Sequence, residues 1–174
     1  KSEKQSFIAA ISSIYAAIRD DSKKFIVPTI SEMKIKMLDA LNFELFTKLQ
    51  NGNLVSVFDD DEDDIDLKDH RDTMYADSKL YKSIDKSNPD KVLVVKRSVR
   101  AYKNFRRYIE SPSSKIGHEY LWDLVCFSNP ELFNNGMNLI IIESKDDDVT
   151  GNVSVLCPTN HYSKEFFDYS KPTS

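Results

Sequence analysis

The sequence predicts an α+β fold, with a helical N-terminal two-thirds packed on a small sheet built largely from C-terminal strands. Three observations carry that expectation. Apolar residues in the first half recur at spacings of three and four, as one face of a helix does. Asn138 to Glu143 is nearly continuous in β-branched and apolar residues, as a central buried strand would be. Asn152 to Cys157 alternates like a partner strand. Helices come first and strands last, which favours α+β over a doubly wound sheet.

The elements follow in chain order. Ile8, Ile11, Ile14, Tyr15 and Ile18 make one apolar stripe, and the neighbouring alanines add helix propensity. Val27-Pro28 closes that connection. Thr29 with Glu32 three residues on is a capping-box pattern. Met33, Met37, Leu38, Leu41, Leu45, Phe46 and Leu49 then predict the buried side of one helix, ended by Asn51-Gly52 as a source of left-handed backbone. Leu54 to Phe58 fits a short strand. A weak helix is expected around Met74 to Ile84. Val92-Leu93-Val94-Val95 fits either a buried strand or the start of a helix, which Val99, Tyr102, Phe105 or Arg106, and Ile109 continue. Ser111-Pro112 stops it. Tyr120, Leu121, Leu124 and Val125 define a last amphipathic helix. Asp148 to Gly151 is short enough to join the two strands as a hairpin.

The chain has 174 residues and a formal net charge of −4. That length suits a single domain spanning 1–174, with an acidic loop insertion at about 59–72. The first residue is Lys1 and not Met, so a larger parent polypeptide is expected. The acidic balance argues against coating nucleic acid through bulk charge. Leu139 to Ile142 is an apolar run of strand length, and no apolar run approaches a membrane helix. Cys126 and Cys157 form no Cys-x-x-Cys pair, which excludes zinc-ribbon and thioredoxin readings and suits an intracellular, cytoplasmic setting. The four glycines are isolated, so no phosphate-cradling loop exists and no cofactor is expected.

Several constellations could carry chemistry. Asp59 to Asp64 is an unbroken acidic run, read as a solvated loop because like charges repel. It lacks the central Gly of an EF-hand. Lys96, Arg100, Lys103 and Arg107 fall on one helical face. That stripe fits contact with phosphate or an acidic surface, or an exposed face partly balanced by the acidic loop. Glu143-x-Lys145 after an apolar strand, with Asp123 upstream, is the alternative of a metal-dependent nuclease. Ser6 lies near the start of the first helix, where the dipole favours an anionic nucleophile, and His161 follows the last expected strand as a candidate base.

The order of nucleophile helix, helical middle, strand, strand and His-aromatic pair resembles the ovarian-tumour (OTU) family of papain-like cysteine deubiquitinases. Tyr120 to Cys126 resembles that family's helix, Met137 to Glu143 its first strand, and Val153 to Cys157 with His161-Tyr162 its second. Glu3-Lys4-Gln5-Ser6 stands where the family has Asp-Gly-Asn-Cys. The resemblance implies a catalytic set of Ser6, His161, Asn160 and Glu3 acting on ubiquitin or a ubiquitin-like protein. Ser6 in the nucleophile position implies a slow or dead site, since a hydroxyl lacks the acidity of a thiol. The Asn-, Asp-, Ile- and Lys-rich style also resembles proteins of large DNA viruses. The alternative from another class is a non-catalytic structural or interaction domain.

Overall fold

The computed structural model describes residues 3–19, 26–60, 64–143 and 154–156, with side chains for 4–18, 26–60 and 64–140. The architecture is helical. The helices are α1 (Ser6–Arg19), α2 (Ile30–Ala40), α3 (Phe43–Phe46), α4 (Asn53–Phe58), α5 (Lys79–Ser83), α6 (Pro89–Glu110) and α7 (Trp122–Cys126). Short 3-10 turns lie at Glu3–Gln5, Leu49–Gly52, Leu67–Thr73 and Tyr75–Asp77. Strands β1 (Ile141–Glu143) and β2 (Ser154–Leu156) form an antiparallel ribbon, with Ile142 opposite Val155.

The α+β expectation is therefore corrected. No sheet underlies the helices among the described residues; two three-residue strands pair only as a ribbon. The local reasons are visible. Val92 to Val95 belongs to α6 because the Asn88 side chain accepts from the Asp90 and Lys91 amides, and Pro89 takes the first helical position. Only Val95 of those four is fully buried, and Val99 follows it four residues on. Capping and a helical burial period thus override the β preference of a valine run. Leu54 to Phe58 is helical too, as α4. Of Asn138 to Glu143, only Ile141–Glu143 is strand, and Ile140 is exposed rather than central. The hairpin connection expected at Asp148 to Gly151 lies outside the described residues.

The long second helix is also corrected. It breaks at Leu41, which is extended, and Asn42 caps α3 by accepting from the Leu45 amide at 2.8 Å. The apolar stripe continues across the break, so burial follows the pattern although the helix does not. The capping box at Thr29 and Glu32 is present in both directions. The helix expected at Met74 to Ile84 is a 3-10 turn followed by α5.

One apolar core joins these pieces, and α6 is its spine. Val95, Val99, Tyr102, Phe105 and Ile109 are its buried face. Ile8 and Ile11 of α1, Met33 and Met37 of α2, Phe43 and Phe46 of α3, Leu54 of α4 and Leu124 of α7 share the same core. Aromatic rings concentrate along α6: Phe46 and Phe58 meet Phe105 at 5.4 and 5.0 Å, and Phe58 also meets Tyr108 and Tyr120. The Phe58 contacts with Phe105 and Tyr120 are edge-on, a geometry that adds to simple burial.

Candidate functional site

Glu3 and Ser6 come together at the chain's first helical turns. Glu3 opens the 3-10 turn, and Ser6 opens α1 with an exposed side chain. Their expected partners Asn160 and His161 lie outside the described residues. The nuclease alternative fares differently. Asp123 is only 1 % exposed and sits in the first turn of α7. Its Oδ2 accepts the Gln50 amide at 2.6 Å, while the Gln50 side chain donates to the Glu119 carbonyl at 2.7 Å. Glu143 lies in β1 opposite Ser154, and Lys145 is outside the described residues. Among the described residues no group of three metal-ligating side chains converges.

Asp123 has instead a local structural task. Gln50, Asn51 and Gly52 are all left-handed, at φ 50°, 58° and 81°. Only glycine adopts that backbone without steric cost. The buried carboxylate fixes the first of the three and so turns the chain from α3 into α4.

The acidic run and the basic stripe meet across α4 and α6. Asp59 is not solvated: its side chain is 1 % exposed. Arg97 Nε donates to its Oδ2 at 2.5 Å, and Arg100 donates to its Oδ1 through Nη2 at 2.5 Å and Nε at 2.6 Å. Burial pushes the Asp59 pKa up, but the Arg97 and Arg100 hydrogen bonds and charges outweigh it and hold it below the ordinary carboxylate value. Asn104 donates to the Phe58 carbonyl at 3.0 Å and to Asp60 at 2.9 Å. Lys96 reaches Asp64 at 2.9 Å. The solvated-loop reading holds for exposed Asp64 and fails for Asp59.

The second half of the stripe is looser. Lys103 approaches Asp72 at 3.3 Å, and Arg106 lies 3.9 Å from Glu110. Arg107 donates to Asn104 at 3.2 Å. Between α6 and the Leu67–Thr73 turn these side chains border an open groove of about 370 Å³. Arg97 and Arg106 were not on the predicted stripe. Their signal was adjacency, since each extends a stripe residue into a basic pair.

A different surface lies on α2. Ile26 is 75 % exposed and Ile35 57 %, with Val27 and Ile30 also exposed. Ile26, Pro28, Glu32, Ile35, Lys36 and Asp39 border an open groove of about 330 Å³. Ile35 also lines a neighbouring hollow that reaches Leu38 and Glu110, and Glu110 in turn borders the basic groove. Lys34 is buried beneath, its Nζ donating to the Ser111 carbonyl at the end of α6 at 2.8 Å. Burial lowers the Lys34 pKa. The amine satisfies a helix-terminal carbonyl where the dipole favours a cation.

Among the described residues no helix is long and apolar enough to cross a membrane. Comparison with family models, curated proteins and solved structures finds no match to this chain.

Proposed function

We propose that this chain is a protein-interaction domain whose apolar α2 face receives a partner. The observation that carries the reading is exposed Ile35, which borders one groove with exposed Ile26 and the neighbouring hollow with exposed Ile30. Scattered exposed apolar residues are ordinary, whereas a contiguous group marks a contact surface. Covering a side chain such as Ile26 or Ile35 contributes about 1–2 kcal/mol each by the area rule. A reducing, cytoplasmic setting fits this reading and is supported by Cys126, a buried thiol.

The test places a photo-crosslinking amino acid at position 35 and identifies what is trapped in source extract. One protein that then binds the purified chain, with affinity lost about tenfold or more in Ile35→Asp, supports the reading. Indiscriminate crosslinking, or binding unchanged in Ile35→Asp, removes it.

A cysteine-peptidase reading is second, favoured by the exposed position of Ser6 at the start of α1. It requires that Ser6→Cys cleave ubiquitin chains and that His161→Ala abolish the cleavage. Inactivity of Ser6→Cys sets it aside.

A further inference from the structure

The two ends of the α6 basic stripe are balanced differently. At the first end, Lys96, Arg97 and Arg100 face Asp59, Asp60 and Asp64, three cations against three carboxylates. At the second, Lys103, Arg106 and Arg107 share the groove, among the described residues, with Asp72 and Glu110, three cations against two. The contacts differ as well. Asp59 takes two arginines at 2.5 Å, whereas the Arg106–Glu110 approach of 3.9 Å is beyond a hydrogen bond. Lys103 and Arg106 repeat the three-residue spacing of Arg97 and Arg100.

The molecule thus shows how an acidic segment seats on this helix. Asp59 and Asp60 arrive in extended chain at the end of α4, and their carboxylates enter the fork of the arginines. The second end offers the same type of donors at the same spacing, an excess of one positive charge and an open groove.

We infer that the groove formed by Lys103, Arg106 and Arg107 docks an acidic segment of a partner protein, its carboxylates meeting these side chains as Asp59 meets Arg97 and Arg100. The inference rests on the interaction-domain reading and adds the partner's chemistry: a stretch of Asp or Glu, with apolar residues nearby. Glu110 borders both the basic groove and the hollow lined by Ile30, Ile35 and Leu38, which places the two side by side. An acidic segment on one side and apolar side chains on the other would therefore come from one partner.

The probe is a fluorescein-labelled hexapeptide of Asp and Glu, titrated into the full chain and followed by anisotropy. Saturable binding is expected that weakens several-fold between about 50 and 300 mM salt, because these charges are exposed to screening. Arg107→Gln should weaken it about threefold or more, and Lys103→Gln with Arg107→Gln about tenfold. Lys91→Gln, in the exposed first turn of α6, should leave it unchanged. Arg106 donates to the Leu38 carbonyl and its substitution could disturb folding; Arg107, which meets Asn104, keeps the test independent of that. Melting curves of each variant confirm an intact fold. Absence of saturable binding, indifference to Arg107→Gln, or displacement by equimolar inorganic phosphate each overturns the inference. The peptide has no apolar side chain, so its failure leaves the α2 reading to be judged by Ile35→Asp alone.

Discussion

The two halves of α6 carry the same kinds of side chain and do opposite things with them. Near Arg97 and Arg100 the cations are folded into the structure, satisfied by a nearly inaccessible Asp59. Near Arg106 and Arg107 they border an open groove and meet their carboxylates more loosely. The difference arises from neighbours, not from the helix. The chain leaving α4 brings three aspartates to one end, while the Leu67–Thr73 turn brings Asp72 to the other. A charge count per helix face therefore says little about binding until the opposing carboxylates are placed. The formal −4 of the chain conceals that Asp59, Asp60 and Asp64 of the acidic run are spent on its own basic helix.

The largest expected effect breaks the first half. Asp59→Ala takes from Arg100, itself only 11 % exposed, its nearest carboxylate and should cost about 3 kcal/mol. For a domain of this size that lowers Tm by about 6–12 °C, measurable by calorimetry. The pH dependence has a definite sign. The folded Asp59 pKa lies below its unfolded value, so its contribution is complete above the ordinary carboxylate pKa of about 3.9 and is lost as pH falls through the folded value. The Tm gap between the native chain and Asp59→Asn should accordingly be constant near neutrality and shrink below about pH 4. A gap unchanged down to pH 2 would contradict the electrostatic account.

A second buried carboxylate sharpens the comparison because it is committed to backbone. Asp123→Ala removes the acceptor of the Gln50 amide and should cost about 2 kcal/mol, read from urea unfolding. Gly52→Ala tests the same turn from its other end. Alanine at φ 81° is strained, and its Cβ would stand 3.3 Å from the Thr47 carbonyl, for a loss of about 1 kcal/mol.

Which of these features could be read from the chain follows from how local each one is. The capping box at Thr29, the left-handed Asn51-Gly52 and the helical face of Val99, Tyr102 and Ile109 depend on neighbours within a few residues, and all are present. The break at Leu41 was hidden because the apolar period passes through it. The valine run misled because β-branched residues report burial in a strand and in a helix alike, and the Asn88-Pro89 cap that decides between them is a weak signal. Asp59 was misread since six acidic residues in a row look uniformly solvated. Only the fold shows that the first meets two arginines from 38 and 41 residues away. The basic stripe itself was legible, and its division was not, because the division is made by residues from two other segments. Asp123 was picked out only as an acidic residue upstream of Glu143 that could share a metal, and its tie to the Gln50 amide, 73 residues away, had no local signal.

The smallest effect on stability is expected at the groove, and it separates the two halves most cleanly. Asp72 is two-thirds exposed and meets Lys103 at 3.3 Å, a geometry that contributes little in water. Asp72→Asn should leave Tm unchanged within error. It also removes one of the two carboxylates that line the groove among the described residues, raising the excess there from one positive charge to two. Affinity for the acidic hexapeptide should therefore rise about two- to threefold at low salt, and the gain should fade at high salt. At the other end of the helix, Asp64→Asn also unpairs a lysine, but Arg97 and Arg100 remain locked on Asp59. It should leave peptide affinity as it was. If both substitutions raise affinity equally, the whole stripe acts as one diffuse positive surface and the division between its halves has no functional meaning.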